Sequence, residues 1–173
     1  HSASSAASDV YKRQHLYQPN TADAKAVAGA NIVFVNGLGF ETWSDALINN
    51  AGGDASVVVA TAGVEPILVD GEIDPHAWNA LTNGVIYVEN IAAAMAAADA
   101  GNADAYKANA ASYIAKLRAL HAAAADRFGS LPEDGRTVVT AHDAFGYLAD
   151  SYGLNFLAPV GIDTEAEPSA SEL

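Results

Sequence analysis

The chain has 173 residues, 51% of them hydrophobic, and a formal net charge of −13, which suits one domain or one lobe with part of another. That acidity argues against nucleic acid and anionic membranes as partners, and no apolar run approaches the roughly 18–20 residues of a membrane-spanning helix. Cysteine is absent, so a transition-metal site here would have to use histidine and carboxylate ligands.

Residues 1–14 do not read like the rest. His1 to Ser8 is a low-complexity Ser/Ala stretch, and Asp9-Val-Tyr-Lys-Arg-Gln14 resembles the translation of a sequencing adapter. The segment is set aside as a non-native tail. Beyond it, helix and strand patterns alternate, which points to an α/β fold with parallel sheet. Asn20 or Thr21 can cap a short helix that stops at Gly29, and Asn31–Val35 reads as a buried strand. Gly37 and Gly39 make a turn, Glu41–Asn50 a helix closed by Gly52-Gly53, and Ser56–Ala60 the next strand. A loop from Gly63 to Pro75 follows, then helix from near Trp78 to about Ala100.

The strongest periodic segment runs from Tyr106 to Phe128. Tyr106, Ala110, Tyr113, Leu117, Leu120, Ala124 and Phe128 recur at three- and four-residue steps, the spacing of one helical stripe. Gly129 and Pro132 end it. Arg136–Thr140 is a strand, His142-Asp143 a turn, Ala144–Tyr152 a helix with Gly153 just past its end, and Phe156–Val160 a short strand. Glu167-Pro168-Ser169 reads as a further helix start shortly before Leu173, so the sequence is expected to be an internal fragment of a longer protein.

Three candidate sites emerge. Strand, Gly37-Leu38-Gly39 and helix together mimic a dinucleotide turn, but the third glycine would fall at Thr42, so a structural glycine turn is the better reading. His15, His76 and His142 each sit at an element boundary, and His142 follows its strand by one residue, where parallel sheets present ligands. Three imidazoles from separate segments can share a metal ion; the alternative is three unrelated solvent-facing or capping residues. His121, beside Leu117 and Leu120 in the long helix, reads as a half-exposed surface residue. Glu65, Asp70, Glu72 and Asp74 crowd one loop without calcium-loop spacing and read as solvated, and Asp143 reads as a helix cap. No Gly-x-Ser-x-Gly elbow supports a serine hydrolase.

His15-Leu-Tyr-Gln-Pro19, Asn36-Gly-Leu-Gly-Phe-Glu41, Asp74-Pro-His-Ala-Trp78, Thr140-Ala-His-Asp-Ala-Phe-Gly-Tyr147, Tyr152-Gly-Leu154 and Glu165-Ala-Glu-Pro-Ser169 occur in that order. Together, over residues 15–173, they resemble the periplasmic zinc/manganese solute-binding proteins of bacterial ABC importers. The resemblance implies an N-terminal α/β lobe over 15–105, a rigid linking helix over 106–130 and the start of a second, truncated α/β lobe over 131–173. It implies no enzyme activity, but capture of Zn²⁺ or Mn²⁺ between the lobes and delivery to an ABC permease, by a monomer in the periplasm or on a lipid anchor. Three ligands match His15, His76 and His142; histidine at the third position, where many manganese-specific members carry a carboxylate, favours zinc. The chain departs from the pattern in three ways. The family's first strand should precede His15, its fourth ligand falls beyond Leu173, and the histidine-rich loop of many zinc-specific members is missing from Val64–Ile73. The rival readings are a three-histidine metallohydrolase, and an adhesin or metal chaperone on the same scaffold.

Overall fold

Asn20 starts the first helix with a reciprocal cap: its side-chain oxygen accepts from the Ala22 amide at 2.7 Å while the Asp23 carboxylate accepts from the Asn20 amide at 2.8 Å. The computed structural model describes residues 17–159 and 161. The tail 1–14, His15 and the helix start at Glu167 lie outside the described residues. In chain order the elements are α1 (Thr21–Ala28), β1 (Ile32–Val35), α2 (Ser44–Ala51), β2 (Ser56–Val59), β3 (Leu68–Val69), β4 (Glu72–Ile73), α3 (Leu81–Ala98), α4 (Ala103–Gly129), β5 (Thr137–Val139), α5 (Gly146–Tyr152) and β6 (Asn155–Leu157).

The expected parallel pairing is present twice. β1 pairs in parallel with β2, Ile32 opposite Ser56, and β5 pairs in parallel with β6, Thr137 opposite Asn155. Each pair is joined through a helix, as a parallel connection requires. α3 packs against β1 and β2 and against α4, and α5 touches both α4 and the β6 unit. The long helix is therefore common to both units.

Several boundaries move for identifiable reasons. The helix expected from Glu41 begins at Ser44, because the Glu41 side chain turns back and accepts from the Asn36 and Gly37 amides at 2.7 and 3.2 Å. The supposed loop from Gly63 to Pro75 contains the antiparallel β3–β4 hairpin. Its two turn residues, Asp70 and Gly71, both have positive φ, 53° and 89°, as the two-residue hairpin turn matched to strand twist requires. α5 begins at Gly146, not Ala144, since the Ala144 carbonyl accepts from the Asn79 side chain at 2.7 Å. Asp143 does not cap it, for Phe145 stands at that position and no side chain bonds to the helix start.

The stripe on α4 is also different. Ile114 and Leu117 are its buried residues, and Tyr106, Ala110, His121, Ala124 and Phe128 extend the same face at intermediate exposure. Tyr113 and Leu120 are 53% and 56% exposed, so they lie off it. Ile114 and His121 replace them, in better keeping with a 3.6-residue period. Near the site the core is Val64, Ala77, Ala80 and Tyr147, with Leu38, Ile67, Ile86 and Tyr87 packed against it. It lies between the segment carrying His76 and the helix that follows His142.

Candidate metal centre

Asp74-Pro75-His76 follows β4 directly and is tied down at every residue. Asp74 is fully buried, which corrects the expectation of a solvated loop carboxylate. One oxygen of it, Oδ1, accepts from the His76 backbone amide at 2.9 Å and lies 2.8 Å from His76 Nδ1. A carboxylate only accepts, so Nδ1 carries the proton, and in the neutral ring the lone pair is on Nε2. The Asp74 amide donates to the Ile67 carbonyl at 2.9 Å, and the Pro75 carbonyl accepts from the Asn36 side chain at 3.0 Å. Asn36 in turn accepts from the Tyr87 hydroxyl at 2.5 Å, an arrangement that anchors the histidine segment to the end of β1 and to α3. Burial pushes the Tyr87 phenol well above its ordinary range.

His142 comes from the other unit, at the turn after β5. It is buried, like His76, and the two ring centroids are 5.4 Å apart at an interplanar angle of 65°. Two imidazoles at that separation can each turn a nitrogen towards an ion bound at roughly 2.0–2.1 Å. Trp78 and Phe40 wall the site on the His76 side, at centroid distances of 5.3 and 6.4 Å from that ring. Asp143 is half-buried next to His142. Burial raises its carboxyl above the ordinary value, the carboxylates of Asp74 and Asp70 add to the rise, and His76 opposes it.

Two of the three expected imidazoles are thus brought together, and His15 lies outside the described residues. Among the described residues no three His, Cys, Asp or Glu side chains gather to hold an ion. His121 is half-buried and stands apart, its Nδ1 3.0 Å from the Tyr152 hydroxyl.

The glycine turn after β1 already contains an anion. The amides of Asn36 and Gly37, which would face a phosphate, bond the Glu41 carboxylate instead. Gly37 has φ of 85°, and a Cβ there would come within 2.5 Å of Val59 Cγ1, so this glycine serves close packing. The turn geometry therefore speaks against nucleotide binding.

The residues that sequence reasoning undervalued are those supporting the histidines: Asp74, Asn36, Glu41 and Tyr147. The Tyr147 hydroxyl donates to the Asp74 carbonyl at 2.9 Å and accepts from the Ile67 amide at 3.1 Å.

Comparison with known proteins gives a uniform result. The family model described as zinc-uptake complex component A, periplasmic (ZnuA), matches residues 9–173. The substrate-binding lipoprotein FimA of a Streptococcus parasanguinis metal ABC transporter is 34% identical over 95% of this chain and 57% of its own length. The iron-binding protein YfeA of Yersinia pestis is 34% identical over 89% of this chain and 51% of its own length. Among solved structures, the periplasmic zinc-binding protein TroA of Treponema pallidum superposes with a TM-score of 0.85 at 27% identity, covering 92% of this chain and 59% of that one. A manganese-bound variant of a Candidatus Liberibacter asiaticus periplasmic metal-binding protein gives 0.82 at 33% identity, covering 92% and 60%. The chain therefore spans a little over half the length of the relatives it matches. With the α/β architecture shared throughout, the chain belongs to the ZnuA family of periplasmic metal-binding, substrate-binding proteins of ABC transporters.

Proposed function

We propose that the protein captures a divalent metal ion outside the cell membrane and delivers it to an ABC permease for import, with His15, His76 and His142 as three of its ligands. One observation carries the reading: a buried imidazole oriented by a buried carboxylate stands 5.4 Å from a second buried imidazole delivered by a different strand end. Carboxylate-oriented histidine is the usual outer support of a metal ligand.

Imidazole-rich sites suit borderline ions. The names of relatives divide among manganese, iron and zinc; histidine at position 142 favours Zn²⁺ here, with Mn²⁺ as the alternative cargo. Nothing is catalysed in this reading, because a filled coordination sphere leaves no open position for a reactive water. A hydrolase would need a carboxylate free to act as base; Asp74 is committed to His76, and the family match favours transport over hydrolysis. In this reading the segment before α4 belongs to one lobe, α4 (Ala103–Gly129) is the connecting helix, and the segment after it begins the other lobe. The protein acts as a monomer, in the periplasm or on a lipid anchor.

Titrating the chain with zinc in competition with a chromophoric chelator tests this. The expected result is a single zinc equivalent, lost in His76→Ala and in His142→Ala, with nitrogen scatterers at roughly 2.0–2.1 Å in zinc-edge X-ray absorption. Zinc binding unchanged in both variants would remove the pair from the site. His142→Asp should narrow the preference for zinc over manganese.

A further inference from the structure

The two histidine segments are fastened to each other by groups that are not ligands. Tyr147, in the first turns of α5, is buried at 4% exposure. Its hydroxyl reaches across to the other unit, donating to the carbonyl of Asp74 and accepting from the amide of Ile67. Since the Asp74 amide also bonds the Ile67 carbonyl, this one hydroxyl closes a loop of hydrogen bonds around the base of the β3–β4 hairpin. Asn79, three residues past His76, donates to the Ala144 carbonyl, two residues past His142. Gly146 lies against Asp74 so closely that a Cβ would stand 2.8 Å from its Oδ2. All three contacts join the segment holding His76 to the segment holding His142.

We propose that Tyr147 is a positioning residue: with Asn79 it clasps the two segments so that the His76–His142 pair is assembled before the ion arrives. The inference rests on the reading of that pair as metal ligands. Its physical content is where ordering is charged. If the two units moved independently, each binding event would have to immobilise them, and that cost would come out of the affinity. The clasp places the cost in folding instead. A buried hydroxyl with two satisfied bonds suits this task, because losing it leaves both a buried amide and a buried carbonyl short of a partner. On this account half of the coordination sphere is rigid, and the ion enters and leaves from the side of the remaining ligands.

The test compares zinc dissociation constants and dissociation rates for the wild-type chain, Tyr147→Phe, Asn79→Ala and Tyr152→Phe, together with the thermal midpoint of each without metal. Tyr152→Phe removes a buried hydroxyl bonded to His121, away from the pair, and controls for simple destabilisation. The expected result is about ten-fold weaker binding in Tyr147→Phe and in Asn79→Ala, mostly as faster dissociation, with Tyr152→Phe within two-fold of wild type. A purely structural tyrosine would lower the midpoint and leave the affinity of the folded protein unchanged, and that result overturns the clasp. Should Tyr147→Phe not fold, Asn79→Ala decides by the same criterion. If the wild-type chain binds no zinc, the site reading and the clasp fall together; if it binds zinc and both variants match it, only the clasp falls.

Discussion

Asp74 holds His76 through a single oxygen, which accepts from both the backbone amide and the ring Nδ1–H of the histidine, at 2.9 and 2.8 Å. Backbone and ring are therefore fixed by one atom, and neither the tautomer nor the ring orientation is left to chance. Replacing Asp74 with Asn keeps the size but puts an amide where the acceptor stood or leaves a weaker neutral one. Zinc affinity of Asp74→Asn should fall roughly 10–100-fold, measured by chelator competition. An unchanged affinity would mean that the carboxylate serves folding alone.

Gly146 offers a complementary probe from the opposite side. A methyl group there would press on Asp74 Oδ2 from 2.8 Å, and the carboxylate cannot retreat without releasing His76. Gly146→Ala should lower stability by roughly 1–3 kcal/mol through overpacking, read by urea unfolding, and should weaken zinc as well. Wild-type stability and affinity together would show that the contact relaxes freely.

Protons and the metal ion compete for the same imidazole nitrogens. With His76 and His142 as ligands, zinc affinity should fall as pH is lowered, while His121→Gln should follow the wild-type profile. An affinity flat from about pH 7.5 to 5 would exclude imidazole ligation.

The face of α4 can be checked by truncation. Ile114 is buried and Tyr113 is 53% exposed. Ile114→Ala should cost roughly 2–5 kcal/mol and Tyr113→Ala within about 0.5 kcal/mol, both from denaturant midpoints. The reverse order would restore the stripe that the sequence suggested.

At the start of α4, Asp99 accepts from the Asn102 side chain and the Tyr106 hydroxyl, both at 2.8 Å. These bonds, Asn102 first, hold its carboxyl below the usual carboxylate value. A group with a lowered folded-state pKa supports the fold above its unfolded pKa and loses that support as pH falls through the folded value. Tyr106→Phe should therefore weaken the dependence of stability on pH on the acid side, seen in thermal melts from pH 6 downward. Parallel curves for the two proteins would show that the hydroxyl contributes nothing there.

Local rules made much of this fold legible. The Asn20 cap, the strand–helix alternation and Gly153 at the end of α5, in the left-handed conformation with φ of 63°, all follow from near-neighbour chemistry. The β3–β4 hairpin is equally legible, for Asp70-Gly71 between Leu68-Val69 and Glu72-Ile73 is a strong two-residue turn signal; the acids around it fit a solvated loop as well. Tyr113 and Ile114 are adjacent, and both fit a coarse three-or-four spacing, so only the packing of α3 and α5 chooses between them. Asp74 was out of reach altogether. Its burial is imposed by Gly146 and Tyr147, more than seventy positions along the chain, and no local pattern carries that information. The same holds for Glu41, a helix-forming residue that bonds turn amides rather than starting a helix.

The twin parallel pairs have a practical corollary. Both histidine segments are anchored at the carboxyl ends of strands, Asn36 after β1 and the turn after β5. The amino ends point away from them, and there Asp54, just before β2, and Asp134, just before β5, are both exposed. A pair of dyes attached at those two aspartates would report the separation of the units from positions remote from the imidazoles. The molecule thus offers a built-in ruler, one whose reading is independent of the chemistry it would be used to follow.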